Sequence, residues 1–189
     1  MEEVEKDMPY YDRSGGGVTL SGGEVTCQKE FAIEIVEKCK AQGINTAIET
    51  NLLIPFEQIK ELLSSVDLVM LDVKIFDNES HKKYTGVSNA QVLENLKKLD
   101  GLGVPFIVRT PLIPGVSDGE ENLSSIASFI AGFKNLLHYE LLNFNPLGAS
   151  KYKSLSSENK FEDARPFEKS RLEEVAERLS AFGIKVKVG

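Results

Sequence analysis

Residues 67–74 read Asp67-Leu-Val-Met-Leu-Asp-Val-Lys74. The middle of this stretch is a short apolar run of strand length, the pattern of a strand covered on both faces. Charged residues at 72 and 74 interrupt it toward its carboxyl end. Side chains at i, i+2 and i+4 share one face of a strand, so Met70, Asp72 and Lys74 point the same way. An aspartate and a lysine in such a strand are costly unless they are paired or bound to something. A buried ion pair or a strand-end cap would satisfy them; so would a ligand site. In parallel α/β sheets ligands bind beyond the carboxyl ends of the strands.

Working outward, short β-branched runs alternate with amphipathic helical stretches. A helix tail ends at Ser14-Gly15-Gly16-Gly17, and Val18-Thr19-Leu20 is a strand. Lys29 to Ala41 is helical with Phe31, Ile35 and Cys39 on one side, stopped by Gly43. Ile44 to Glu49 is a strand, and Pro55 opens a helix carrying Ile59, Leu62 and Leu63. Glu79 to Tyr84 and Ala90 to Leu102 are helical, and Pro105 to Thr110 is a strand with its proline at the start. Asp118 suits the N-cap of a helix over Glu121 to Phe133. Leu137 to Leu142 is a strand, Asn143 to Pro166 a long polar, mobile connection, Phe167 to Phe182 a helix and Ile184 to Val188 a last strand. Alternation of this kind is α/β with a parallel sheet. At 189 residues the chain is short for a closed eight-fold barrel, which typically takes about 250. An open or partial barrel, or a doubly wound sheet, fits better, in one domain spanning 1–189.

The first five strands then end in polar residues. The first runs into Ser21-Gly22-Gly23-Glu24, the second ends in Glu49-Thr50-Asn51, and the third in Asp72-Val73-Lys74. The fourth ends in Arg109-Thr110 and the fifth in Asn143-Phe144-Asn145. Five polar strand ends favour a site over an isolated ion pair. Gly22 and Gly23 let the backbone approach a ligand, and the following helix start offers N–H groups to an anion. The loop is neither a P-loop nor G-x-G-x-x-G, and a Gly-Gly-Glu alone is more often a turn.

Composition narrows the class. Lysine and arginine number 22 against 29 acidic residues, a formal charge of −7. An acidic chain with no basic run is a poor nucleic-acid or anionic-membrane binder. No apolar stretch has the roughly 18 residues of a membrane helix, and the charged start lacks a signal-peptide core; the chain reads as cytoplasmic. Cys27 and Cys39 make neither a disulfide framework nor a zinc or cluster motif, and are expected as core thiols. His81 is expected to be solvated, and His138 to be a surface or satisfied histidine. No Ser/His/Asp ordering suggests a nucleophile beside a base.

The combination of Ser14-Gly-Gly-Gly-Val-Thr-Leu-Ser-Gly-Gly-Glu24, Glu49-Thr50-Asn51 and Asp67 to Lys74 resembles the activating enzymes of glycyl radical enzymes. These belong to the radical S-adenosylmethionine superfamily, and the pyruvate formate-lyase type is nearest. Gly86-Val87-Ser88-Asn89, Arg109, Pro114-Gly115-Val116-Ser117-Asp118 and Leu147-Gly148 continue the likeness in order. The resemblance implies a partial (β/α)6 TIM-like barrel. It also implies a 4Fe-4S cluster that reduces S-adenosylmethionine, giving a radical that takes a hydrogen from a glycine of a partner enzyme. That partner is a glycyl radical enzyme such as pyruvate formate-lyase; the electron donor is a flavodoxin or ferredoxin.

The resemblance also assigns roles. Gly22, Gly23 and Glu24 match the loop that meets the methionine amino group. Asp72, Val73 and Lys74 match a segment touching S-adenosylmethionine, with Lys74 suited to its carboxylate. Glu49, Thr50, Met70 and Asp72 match holders of a monovalent cation. Arg109, with Asp72, matches the catalytic positions, and Asn145 stands where the pyruvate formate-lyase type has an adenosine-contacting histidine. Two departures bear on this. The family's C-x-x-x-C-x-x-C cluster segment is expected before residue 1. The chain therefore reads as the carboxyl-terminal part of such an enzyme, with the first βα unit missing, and as inactive by itself. Leu52 replaces a glycine after Thr-Asn, and leucine resists positive φ, so that turn is expected to differ. A cluster-free module that binds S-adenosylmethionine or docks a partner is the alternative. An unrelated α/β enzyme using strand-end carboxylates as acid and base requires the likeness to be accidental.

Overall fold

The computed structural model of the chain describes residues 1–148 and 160–189. Two short helices, α1 (Glu2–Lys6) and α2 (Met8–Ser14), lead into strand β1 (Gly17–Leu20), and Gly15 ends α2 in the left-handed conformation at φ 66°. A 3₁₀ turn (Val25–Gln28) precedes α3 (Lys29–Ala41). The chain continues as β2 (Asn45–Thr50), α4 (Phe56–Ser65), β3 (Leu68–Asp72), α5 (Asn78–Thr85), α6 (Ala90–Asp100), β4 (Phe106–Pro111), α7 (Glu120–Ile130) and β5 (Leu136–Leu142). After the connection come α8 (Lys169–Ser180) and β6 (Val186–Val188). The reading of 143–166 as a mobile connection falls, for 149–159, outside the described residues.

All six strands are parallel, in the order β1-β2-β3-β4-β5-β6. A doubly wound sheet reverses its strand order at a switch point; this sheet never does. Each crossover advances one strand in the same direction, as in a barrel wall, and β1 and β6 do not meet. The architecture is therefore the open, partial TIM-like barrel of the two alternatives.

Strand periodicity divides the residues between two faces. Ile48, Val69, Leu71, Phe106, Val108, Tyr139 and Leu141 are fully buried on the helix side. They pack with Ala32 and Val36, Ile59, Leu62 and Leu63, Leu96 and Leu99, and Ile126 and Ile130 from the helices. Each fully buried Val, Leu, Ile or Phe side chain contributes about 1.5–3 kcal/mol. The Tyr139 hydroxyl reaches Thr110 Oγ1 at 2.7 Å inside this layer. The opposite, inner face carries the residues one position away: Glu49, Met70, Asp72, Ile107, Arg109, His138 and Glu140.

Several local expectations are corrected. The buried stripe of α3 is Ala32, Val36 and Cys39, while Phe31 is 61 % exposed. Cys39 is a core thiol whose pKa is pushed up by burial, but Cys27 is exposed. The N-cap of α7 is Gly119. Asp118 instead accepts the Gly115 N–H at 2.7 Å and pairs with Arg171 at 3.3 Å. His81 is buried rather than solvated, and His138 is buried on the inner face. Leu52 does occupy the left-handed region, at φ 53°, with its side chain fully buried. Its backbone is held on both sides: its N–H donates to Thr50 Oγ1, and its carbonyl accepts from the buried Asn95 amide at 2.8 Å. Among the described residues no helix is long and apolar enough to cross a membrane.

Candidate functional site

The parallel register brings the predicted strand-end residues into one row. Glu49 lies beside Met70 across β2 and β3, and Asp72 lies beside Arg109 across β3 and β4. Arg109 stands between the two carboxylates. Its Nη1 donates to Glu49 Oε1 at 2.7 Å and its Nε to Asp72 Oδ1 at 3.1 Å. Ser21 Oγ, just past β1, donates to the other Glu49 oxygen at 2.5 Å. Lys74 Nζ lies 3.3 Å from Asp72 Oδ2. The chain Ser21–Glu49–Arg109–Asp72–Lys74 thus links the ends of four strands on the inner face.

The electrostatics follow from this geometry. The hydrogen bonds from Arg109 and Ser21 hold the Glu49 carboxyl below its ordinary pKa, against the opposing effect of burial. Burial opposes the charge of Arg109, yet the two carboxylates keep its pKa above the ordinary value. A carboxylate clamped ionised by a guanidinium is a poor proton donor or acceptor at neutral pH, which counts against the acid–base reading. On the same face, burial and Lys187 hold His138 below its ordinary pKa of 6.5.

The Gly-Gly-Glu loop divides its labour. Glu24 turns inward on the protein itself. One of its oxygens accepts from Thr26 N–H at 3.1 Å, Thr26 Oγ1 at 2.6 Å and Thr50 Oγ1 at 2.7 Å, and the other from Asn51 N–H at 2.8 Å. Its carboxylate is spent tying the β1 loop to the end of β2. Gly22 and Gly23 are exposed, Gly22 lies at φ 116°, and a Cβ built on either meets nothing within 4 Å. The loop offers bare backbone to open space.

The remaining predicted residues separate. Thr50 lies on the helix side, its hydroxyl committed to Glu24 and Leu52 N–H, and Thr110 is committed to the Val73 carbonyl. Val73 itself is buried. Asn145 is exposed beyond β5, and its side-chain oxygen accepts from Leu147 N–H. Asn143 ties the chain to both backbone groups of Phe167. Ser21 was not singled out among site residues; only the β1–β2 register shows that it reaches Glu49. Glu140 and Lys187 were also missed. They stand in register with Arg109, across β5 and β6, and strand periodicity carried across the sheet is the signal that finds them.

The row tests which groups fit. A zwitterionic amino-acid headgroup needs a cation for its carboxylate and backbone acceptors for its ammonium. Lys74, 40 % exposed and paired among the described residues with Asp72, and the bare Gly22-Gly23 loop meet those needs. A metal centre is different. Among the described residues no three His, Cys, Asp or Glu are grouped to hold a metal ion, and Cys27 and Cys39 differ in setting, one exposed and one in the core. These residues do not fit an iron–sulfur cluster. Nor does the expected cation set assemble freely, because Arg109 already bridges Glu49 and Asp72.

Comparison with known proteins bears on the same residues. The family model of the Radical SAM superfamily matches residues 1–125. The chain is 41 % identical, over 196 residues, to the (2S)-3-sulfopropanediol dehydratase activating enzyme of Klebsiella oxytoca, covering 100 % of this chain and 61 % of that protein. It is 38 % identical to the pyruvate formate-lyase-activating enzyme of Clostridium pasteurianum, covering 95 % of this chain and 75 % of that one. The chain thus spans about three fifths of the first relative's length. A solved domain of pyruvate-formate lyase-activating enzyme from Bacteroides vulgatus ATCC 8482 superposes with a TM-score of 0.76 at 27 % identity, over 92 % of this chain and 99 % of that one.

Proposed function

The chain belongs to the Radical SAM superfamily, among the activating enzymes of glycyl radical enzymes, and from that premise we propose that its strand-end row binds S-adenosylmethionine within such an enzyme. The family implies this cofactor and a 4Fe-4S cluster. Bound S-adenosylmethionine supplies the source of the hydrogen-abstracting radical. The observation that carries the reading is the linked row from Ser21 to Lys74 beside a bare glycine loop.

This chain's own residues would bind and orient. Lys74 takes the methionine carboxylate as a charge-assisted contact. The backbone of Gly22 and Gly23 receives the ammonium, while Glu24 fixes the loop that presents it. Asp72 and Val73 would place Lys74, and the exposed Asn145 would contribute a contact to the adenosine. Arg109, held by Glu49 and Asp72, keeps two carboxylates from repelling each other at the mouth of the barrel and would serve the catalytic position that the family likeness gives it. No step is assigned to Cys27 or Cys39. As a domain over 1–189, the chain contributes the cofactor-binding wall of the enzyme; its partner is a glycyl radical enzyme, with pyruvate formate-lyase as the default and a flavodoxin or ferredoxin as electron donor.

Calorimetric titration of S-adenosylmethionine into the full chain tests this. Saturable binding is expected, weakened about tenfold in Lys74→Gln, the loss of one charge-assisted contact. Binding that is absent, or indifferent to Lys74→Gln and Gly22→Val alike, overturns the assignment.

A further inference from the structure

At the Asp72–Lys74 end of the row lies a cavity of about 390 Å³, and the S-adenosylmethionine reading uses only those two of its lining residues. Its walls are mostly apolar: Leu53, Ile75, Val92, Ile113 and Val116 line it, and Asp72 and Lys74 sit at its inner end. Pockets of this size are in the range that takes a small ligand or a large side chain. Its far wall is α5 and the turn after it.

That wall holds a histidine with one face unused. His81 is 7 % exposed. Its Nδ1 lies 2.8 Å from the Val87 carbonyl, a pure acceptor, so Nδ1 carries the proton. Thr85, whose hydroxyl donates to the His81 carbonyl at 2.8 Å, packs beside the same nitrogen. With the proton on Nδ1, Nε2 is the ring nitrogen left to accept. It has no partner among the described residues, and His81 lines the cavity. Because no buried side-chain nitrogen or oxygen lacks a partner among the described residues, Nε2 is an accessible acceptor at the cavity wall, free to take a donor from whatever enters.

The rim says what kind of molecule that is. Tyr84 and Val87 are 46 % and 41 % exposed, apolar groups at the entrance of an apolar cavity. Lys83 stands 5.1 Å above the Tyr84 ring and has no carboxylate partner among the described residues, in a chain of net charge −7. The entrance therefore combines an apolar lip with an uncommitted cation.

We propose that this cavity is an anchor pocket for the partner polypeptide: an apolar side chain fills it, a backbone N–H or hydroxyl of the same segment donates to His81 Nε2, and a neighbouring acidic residue meets Lys83. The proposal rests on the reading of the chain as part of an activating enzyme, since the pocket adjoins the row where the partner's glycine would have to arrive. It gives His81 and α5 a role in choosing the partner rather than in the chemistry.

The test uses the full chain with ¹⁵N-labelled histidine and minimal peptide probes. N-acetyl-leucinamide is expected to shift the His81 Nε2 resonance saturably, leaving His138 unmoved, while N-acetyl-alaninamide binds at least fivefold more weakly. Acetyl-Asp-Leu-amide is expected to bind at least threefold more tightly than acetyl-Lys-Leu-amide, a preference that Lys83→Glu reverses. Val116→Trp fills the cavity and abolishes the shift; Val87→Asp, at the exposed rim, does the same if the tryptophan variant does not fold. The same samples are titrated with S-adenosylmethionine. No saturable shift at His81, equal affinity for the leucine and alanine probes, or a shift that survives both variants overturns the pocket even where S-adenosylmethionine binds. Probe binding in a chain that ignores S-adenosylmethionine overturns the parent reading, and with it the assignment of the segment to a radical-bearing partner.

Discussion

At the β1–β2 tip, Glu24 gives its carboxylate to two backbone N–H groups and two hydroxyls of its own chain. At the β3–β4 tip, Asp72 and Glu49 give theirs to charged side chains, Arg109 and Lys74, which remain partly open to the barrel mouth. Both tips are acidic residues at strand ends, and both sit next to residues that the family likeness marks. One is architecture and the other is a polar surface ready for a ligand. The difference lies in what the partners are. Backbone amides in a fixed turn have no other occupation, whereas an arginine or lysine can share its charge with an incoming anion.

If that distinction holds, replacing each acid should do different things. Glu24→Ala is expected to cause the largest loss of stability, about 3 kcal/mol, because it strands several donors at once; a urea midpoint shift at unchanged slope measures it. An equally stable variant would erase the contrast between the tips. Arg109→Met comes next. It leaves Glu49 and Asp72 facing each other uncompensated and should cost about 2 kcal/mol, below the range for fully buried pairs because both acids are partly solvated. Restoring stability in the Arg109→Met, Glu49→Gln double variant would confirm repulsion as the cause, and additivity would deny it.

Asp72→Asn should sharpen the comparison from the other side. It keeps an acceptor for Arg109, so its cost in stability is expected to be about 0.5 kcal/mol, while binding of S-adenosylmethionine weakens severalfold as Lys74 loses its anchor. A large stability loss without a binding change would move Asp72 into the same class as Glu24. The smallest effect concerns pH. Because Arg109 and Ser21 depress the pKa of folded Glu49, its stabilisation is present above the ordinary carboxylate range and is lost as pH falls through the lowered folded value. Glu49→Gln should flatten that acid limb. His138, also depressed in the fold, favours unfolding as pH falls from its ordinary value of 6.5 to its lower folded value. His138→Gln should remove that separate, higher-pH slope in denaturant midpoints measured from pH 8 to 4.

Much of this was legible one residue at a time. The apolar run 68–71 and its charged end place β3 and the inner face correctly, because strand periodicity is a property of the local backbone. The β1-α3-β2-α4 alternation, the glycine stop after α3 and the Leu52 conflict were all visible for the same reason. Phe31 and Asp118 were misplaced because each choice depends on the neighbouring element: which stripe of α3 meets the sheet, and which residue Arg171 pulls toward α8. His81 could not have been found. Its charged surroundings, Lys82 and Lys83, suggest solvent, and it takes the fold to bring the Val87 carbonyl and Thr85 hydroxyl against the ring nitrogen.

The sequence by itself determined that the chain is a parallel α/β array of radical S-adenosylmethionine type, with polar residues at the ends of its first five strands. Periodicity and ordered motifs are carried by neighbours along the chain. Only the tertiary structure decided that the sheet advances without reversal, that Arg109 bridges Glu49 and Asp72 across 60 and 37 residues, and that Glu24 is spent while Lys74 is not. Whether a charge is satisfied depends on distances of a few ångströms between strands far apart in sequence, and register, rather than composition, sets those distances.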